Sequence, residues 1–186
     1  MNFKEYLKQL SIVILGILIA FWISNISMHY KEIATQKQVL LTILYELKEN
    51  NENIKATMQS LDSLHQTFSK IKNMNNFSGI VTISYAGMSV KNIGYETAKY
   101  TGILKDVDYK LVSKIVENYE SQNSLKELEQ LMSDEMFVLI KNKIGESDNV
   151  DYILVQISNI MNNLEGLDEE QKQLIDKLLL YLDVKS

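Results

Sequence analysis

The sequence predicts an all-α chain with one N-terminal transmembrane helix, a long amphipathic stalk helix and a small helical bundle. Residues 10–26 contain no charged side chain, and apolar residues recur every seven positions between residues 40 and 71. The 186 residues include no Pro, and neither Gly nor Pro lies between Gly16 and Gly79. Uninterrupted stretches of this kind favour long helices. The predicted boundaries are a short N-terminal tail (1–9), the transmembrane helix (10–28), the stalk helix (29–74) and a helical domain packing on the stalk (75–186).

The transmembrane helix is predicted from length and flanking residues. The stretch from Tyr6 to Tyr30 is long enough to span a bilayer core, which requires roughly 20 residues. Tyr6 and Lys8 mark one interface, and Trp22, His29 and Tyr30 mark the other, as in an aromatic belt. A cleaved signal peptide is the alternative, but no A-x-A-like site follows, which favours an uncleaved segment. Lysines before and after the segment are nearly balanced, with a slight preference for a cytoplasmic N-terminus.

Small and polar residues form a stripe along this helix. At about 100° per residue they fall on one side, with Trp22 on nearly the opposite side. Small residues at steps of four let helices approach closely in lipid, so the stripe predicts self-association, with chance alignment as the alternative. The same groups could line a narrow water-filled path. The residues of this helix contact or pore stripe are Gln9, Val13, Gly16, Ala20, Ser24 and Ser27, and Lys31 extends it.

The stalk helix is predicted from a heptad pattern over more than four repeats. Residues 31–72 should form one helix roughly 60 Å long. The helix belongs either to a folded helical domain or to an intermolecular coiled coil. A buried Asn50 is expected to set the register of packing. The predicted seam consists of Leu40, Ile43, Leu47, Asn50, Ile54, Leu61, Leu64, Phe68 and Ile71, with Thr57 as a weaker position.

The membrane stripe and the stalk seam lie about half a turn apart on a straight helix. Either the helix bends or slips near residues 28–34, or the two faces have different partners. We favour the second interpretation, in which the stripe meets other copies and the seam meets the chain's own C-terminal helices.

The remaining elements are predicted from local signals. "NMNNFSG" (73–79) should end the stalk, and "IVTISYAGMSV" (80–90) is the one β-prone stretch. A short helix with breaks near Gly94 and Gly102 follows, and then Asp106 or Asp108 caps a helix to about Gln122. Ser124 to Glu127 resembles a capping box for a helix that ends at Gly145. Another helix from Val150 should stop at Gly166, and Asp168 to Gln171 should cap the last one.

Composition and motifs argue against an enzyme. There is no Cys, so thiol chemistry is excluded, and all 19 basic residues are Lys, which disfavours sequence-specific nucleic-acid binding. His29 and His65 show no metal-binding spacing, and "DVDYK" lacks the turn Gly and places Lys110 at a ligand position of a calcium loop. No phosphate-binding loop or nucleophile elbow is present. We therefore predict no catalytic residue, no metal and no cofactor.

Charge is unevenly distributed along the chain. Residues 1–114 contain 13 Lys and 9 acidic residues, a net charge of +4, and residues 115–186 contain 6 Lys and 15 acidic residues, a net charge of −9. A basic half beside a membrane fits anionic headgroups. An unevenly charged solvated surface is the alternative.

Three segments resemble a family of small bacterial single-pass membrane proteins of unknown function. They are "VILGILIAFWISN", "LLTILYELKENNENI" and "YETAKYTGILKDVDYKLVSKIVENYE". The resemblance implies one N-terminal membrane helix, a long helix and a helical domain, in the bacterial cytoplasmic (inner) membrane. It implies no active site, and the weakly basic N-terminus here departs from the family.

Two functions are consistent with these features. One is a homo-oligomeric pore- or channel-like membrane effector, in the manner of bacterial defence proteins, whose helical domain controls it. The other is a membrane-anchored scaffold or accessory subunit that holds a partner at the bilayer. The expected partners are further copies of the chain, the lipid bilayer, and a protein or small signalling ligand at the helical domain.

Overall fold

The computed structural model describes residues 3–73, 85–141 and 147–184. Within these ranges it confirms the all-α class, because every regular element is helical. The elements in order are α1 (Phe3–Lys72), α2 (Ile93–Thr101), a 3₁₀ turn (Ile103–Asp106), α3 (Tyr109–Lys141) and α4 (Ser147–Val184).

Helix α1 joins the predicted membrane and stalk segments without a break. Its 70 residues correspond to about 105 Å, and residues 28–34 are helical throughout. Residues 3–9 are also helical, where a short tail was predicted. The boundary predicted at residues 28–29 is therefore not marked by any interruption of the helix.

Helices α3 and α4 pack on the C-terminal half of α1. Near residue 40 of α1, the core contains Leu40, Leu111 and Leu182, and near residue 71 it contains Ile71, Met136 and Val150. Helix α3 therefore runs parallel to α1, and α4 runs antiparallel. The stalk face that the heptad pattern singled out is the face that these helices cover.

The predicted break between Gln122 and Ser124 is wrong, because α3 continues through both residues. Gln122 and Leu125 are both buried, so the covered face runs on across the predicted break. A capping box serves the free N–H groups of a helix end, and within a continuous helix those N–H groups already have partners. The predicted closure at Gly145 lies outside the described residues.

The predicted stop at Gly166 is also wrong, and so is the cap at Asp168, because α4 spans both positions. Leu164 and Leu167 are buried on either side of the glycine. Burying two leucines contributes about 3–6 kcal/mol, which exceeds the roughly 1 kcal/mol cost of glycine inside a helix. Asp168 instead accepts a hydrogen bond of 2.7 Å from Asn51 on α1.

The connection between α1 and α3 follows the local signals more closely. Gly102 ends α2 with φ 65°, and Leu111 N–H donates to Asp108 Oδ1 at 3.0 Å, so Asp108 caps α3. Residues 85–92 contain no strand. The other part of the β-prone stretch, 80–84, lies outside the described residues, as does most of "NMNNFSG".

Candidate functional site

The N-terminal half of α1 is an apolar helix without a partner inside the chain. Every residue from 3 to 35 is exposed. An 18-residue window in α1 has a mean hydropathy of 2.2, and none of it is buried. The core helix of a soluble protein would be mostly buried, so this segment is a candidate membrane span. A signal sequence at the N-terminus satisfies the same criteria of length and composition.

All positions of the predicted stripe lie in this exposed region. A Cβ atom added to Gly16 would meet nothing within 4 Å. Trp22, on nearly the opposite side of the helix, is 67% exposed. The exposed stripe residues are Gln9, Val13, Gly16, Ala20, Ser24 and Ser27. A bulkier side chain at Gly16 would therefore clash only with another molecule.

The stripe faces away from the helical domain. At about 100° per residue, Gly16 and Ala20 lie roughly half a turn from Leu40 and Leu47, which the domain covers. Higher on α1, the side that continues the stripe carries Tyr45, which is 67% exposed. In the described residues, α3 and α4 therefore do not cover the side of α1 that carries the stripe.

The stalk seam is buried along its whole length, and its partners are α3, α4 and the α2 segment of the same chain. Asn50 and Thr57, the two polar positions, are as inaccessible as their apolar neighbours. The buried positions are Leu40, Ile43, Leu47, Asn50, Ile54, Thr57, Leu61, Leu64, Phe68 and Ile71. This arrangement leaves no room for a second chain on that face.

A buried polar layer crosses the domain at Asn50. Its Nδ2 donates to the Gln122 Oε1 at 2.8 Å and to the Lys91 carbonyl O at 2.8 Å, and its Oδ1 accepts from Lys91 N–H at 2.8 Å. Gln122 in turn donates to Asn118 Oδ1 at 2.6 Å. These bonds fix the register of α1 against α3, which is the role expected of Asn50.

Two buried carboxylates that the sequence patterns do not predict hold the start of α2 and the segment before it. Glu46 accepts from Gly94 N–H at 2.6 Å and from the Tyr119 hydroxyl at 3.0 Å. Glu129 accepts from Met88 N–H at 2.7 Å and 2.8 Å. Glu46 lies one position before Leu47 of the seam, which is the one signal in the sequence that could have placed it near the core.

Burial changes the acidity of groups in these networks. Burial, followed by the nearby Glu46 carboxylate, raises the pKa of the Tyr119 phenol. Burial also raises the pKa of Glu129, although the bond from Met88 N–H opposes the shift. Tyr119 stacks on Tyr95 with ring centroids 4.4 Å apart. The hydrogen bonds of Glu46 and Glu129 all go to the chain itself, and they tie the α2 segment to α1 and α3.

Two clefts open where the domain meets the candidate span. One, of about 590 Å³, lies between residues 29–36 of α1 and residues 101–106. The other, of about 530 Å³, lies between the start of α3 and the end of α4, and Lys110, Lys114 and Lys177 line it. Both contain charged and apolar side chains together.

Candidates for metal chemistry do not come together in the described part of the chain. No group of three His, Asp or Glu side chains there is placed to hold a metal ion. His29 and His65 lie on the same helix, 36 residues and therefore about 54 Å apart. Asp108 is occupied as the cap of α3.

Comparison of the chain with known protein families, with curated proteins and with solved structures finds no match. The similarity to small bacterial membrane proteins therefore stays a prediction, and the functional proposal depends on the geometry of α1 and its domain.

Proposed function

We propose that this chain is a non-enzymatic, single-pass protein of the bacterial cytoplasmic membrane that self-associates through residues 10–28. The oligomer acts as a pore- or channel-like membrane effector, in a defence role, and the helical domain controls it. The observation that carries the proposal is the position of the stripe. It lies on a fully exposed apolar helix and on the side of α1 opposite α3 and α4.

Self-association follows from the physics of helices in lipid. Without a hydrophobic driving force between helices, close packing at small residues and hydrogen bonds from Ser drive association. Gly16 and Ala20 supply the close approach, and Ser24 and Ser27 supply the hydrogen-bonding groups. Gln9, Ser24 and Ser27 would also offer polar groups to water along a path between the helices.

Control by the domain is supported by the continuity of α1. The helix runs from the stripe to the buried seam without interruption. A change in how α3 and α4 pack on Leu40 or Leu47 would therefore rotate or tilt the helix that carries Gly16. A protein partner or small signalling ligand at the domain is the proposed trigger.

The test of self-association compares two substitutions on opposite sides of the helix. Gly16→Leu should dissociate the oligomer in detergent micelles, because a bulky side chain forces the backbones apart. Trp22→Leu is the matched control and should leave the oligomer intact. The measurement is the molar mass of the protein component by light scattering. An unchanged mass for Gly16→Leu would show that the stripe is not the contact.

The test of the pore is ion flux from liposomes that contain the full-length protein. The double substitution Ser24→Leu and Ser27→Leu should abolish flux even where the oligomer survives, because a narrow apolar constriction loses its water. Replacing Ile14 and Ile17 with Leu provides an apolar control pair that should retain flux. An oligomer that never conducts ions would contradict the pore proposal, and the stripe would then be a packing face only.

A membrane-anchored scaffold is the second candidate, and one surface favours it. Leu131 and Val138 of α3 are exposed, and so are Tyr152 and Val155 of α4. Tyr152 donates its hydroxyl proton to Glu135 at 2.9 Å, which joins the two helices at this face. Replacing Leu131 and Val138 with Ser should abolish partner capture for a scaffold and leave liposome flux unchanged for a pore.

A further inference from the structure

The helical domain begins close to the end of the candidate span. Gln36 Nε2 donates to the Ile103 carbonyl O at 3.3 Å, which holds the 3₁₀ turn beside α1. Tyr30 precedes Gln36 by six residues, or about 9 Å along the helix. The headgroup layer on each side of a bilayer is about 5–8 Å thick. With Tyr30 at the edge of the hydrocarbon core, residues 101–106 lie at the outer edge of the headgroup layer.

Aromatic and basic side chains project from this part of the domain. Tyr100 and Tyr109 are 85% and 83% exposed, and the Lys105 side chain is 71% exposed. Tyrosines with one apolar and one polar end are enriched at membrane interfaces, and lysine stems extend towards headgroups. We define the basal surface as Tyr100, Lys105, Tyr109 and Lys110. Its exposed rings have the chemistry of an interfacial belt.

The charge around the basal surface is positive. The three stretches that build this end, residues 29–37, 99–114 and 174–184, contain seven Lys and five acidic residues, a net charge of +2. Of the acidic residues, Asp108 caps α3, Asp106 lies 3.9 Å from Lys105, and Glu32 lines the 590 Å³ cleft. Residues 115–173 carry a net charge of −9. The domain therefore has a basic end towards the span and an acidic remainder.

The 530 Å³ cleft continues the basal surface along the side of the domain. Tyr109 and Lys110 line it from α3, and Lys177 and Tyr181 line it from α4. Asp108, the cap of α3, is the one acidic side chain among the described residues that line it. Lys114, also in this cleft, is bound to Glu117 at 2.6 Å. Cations beside aromatic walls match the phosphate and the glycerol backbone of a phospholipid.

We propose that the basal surface docks on anionic phospholipid headgroups and enriches them around α1. This inference rests on the proposed membrane span, and it adds a lipid preference to it. Each lysine near an anionic surface contributes about 1 kcal/mol, which corresponds to about a fivefold enrichment. Lys105 and Lys110 together should therefore favour an anionic lipid over a zwitterionic one by roughly 25-fold at the contacts they make.

The test uses the full chain in phosphatidylcholine vesicles. The chain has no Cys, so Thr101→Cys places a single fluorophore at the basal surface. The quencher is a small fraction of spin-labelled phosphatidylglycerol or, for comparison, phosphatidylcholine with the same label on the same carbon. Phosphatidylglycerol should quench several-fold more strongly. Replacing Lys105 and Lys110 with Gln should make the two lipids quench the fluorophore equally. Lys48→Gln with Lys70→Gln, a control pair away from this surface, should leave the difference in quenching unchanged.

Carbonate extraction of the same vesicles separates this inference from the proposed span. Extraction of the chain would overturn both the span and the docking. A retained chain that both lipids quench equally would overturn the docking alone. The docking would also be overturned if the wild type and the Lys105 and Lys110 variant showed the same preference for phosphatidylglycerol. Circular dichroism of each variant should match the wild type, since the substituted lysines are exposed.

Discussion

Single residues have the largest effect on stability where a buried carboxylate accepts a backbone N–H group inside the domain. Gly94 lies against α1, and Glu46 accepts its N–H at 2.6 Å. A Cβ atom at Gly94 would lie 2.8 Å from Thr42 Cγ2 and 3.0 Å from Glu46 Oε2. The close approach of α2 to α1 therefore requires glycine at this position.

Gly94→Ala should lower the free energy of unfolding by about 1–3 kcal/mol, as overpacking does in a filled core. Gly166→Ala is the control, because a Cβ there meets nothing within 4 Å and the residue is inside α4. That change should raise the free energy of unfolding by about 0.5–1 kcal/mol. Denaturant unfolding in detergent, followed by circular dichroism, measures both. Equal effects of the two substitutions would contradict the close contact at Gly94.

Glu129 should make stability depend on pH with a sign set by its raised pKa. Because burial raises its pKa above the ordinary 4.5, the folded state takes up the proton at higher pH than the unfolded state. Stability therefore increases as the pH falls through the raised pKa towards 4.5. The measurement is the difference in unfolding free energy between wild type and Glu129→Gln, in which other titrations cancel. A difference that is independent of pH would contradict the shift.

At the scale of helices, the buried face of α1 determines which segments pack together. Leu47 and Leu61 are fully buried, whereas Tyr45 on the same helix is 67% exposed. Helices α3 and α4 extend past Ser124 and Gly166 because their covered faces continue on both sides of those residues. Packing along a face thus outweighs a single local break signal.

Leu47→Asp and Leu61→Asp should each lower the free energy of unfolding by about 3–5 kcal/mol, since a charge without a partner enters the core. Tyr45→Asp on the exposed side should change it by no more than about 0.5 kcal/mol. Chemical denaturation of all three variants gives the comparison. If the two Leu variants unfold like the wild type, α3 and α4 do not cover this face in solution.

In the molecule as a whole, helix α1 carries an exposed apolar segment in its N-terminal half and a packed helical domain on its C-terminal half. Residues 3–35 contribute no buried side chain, and the heptad seam lies within residues 36–72. The domain therefore has a core of its own. Removal of residues 1–30 would take away the apolar surface without opening that core.

Full-length protein should stay with membranes after carbonate and high-salt washes, whereas a chain that begins at Lys31 should be soluble and helical. The reason is that the apolar window with mean hydropathy 2.2 precedes the domain. Sedimentation and circular dichroism measure the two properties. A mature chain lacking residues 1–27 would identify a cleaved signal peptide and would remove the span.

Features that depend on near neighbours along the chain can be predicted from the sequence. An apolar run of sufficient length, a heptad repeat and the caps at Gly102 and Asp108 each involve residues within a few turns of one another. Helical periodicity converts such patterns directly into exposed and buried faces. The all-α class and the face of α1 that became buried therefore followed from residues 10–71.

The points at which helices continue, and the polar groups that are buried, depend instead on packing between helices. The break signals at Ser124 and Gly166 contribute about 1 kcal/mol each. On α4 the burial of the neighbouring leucines outweighs this energy, and on α3 the burial of the covered face does so. Glu46 and Glu129 became core residues because N–H groups more than 40 positions away in the chain meet them. Partners at that distance leave no periodic pattern, since the contact exists only once the helices have packed.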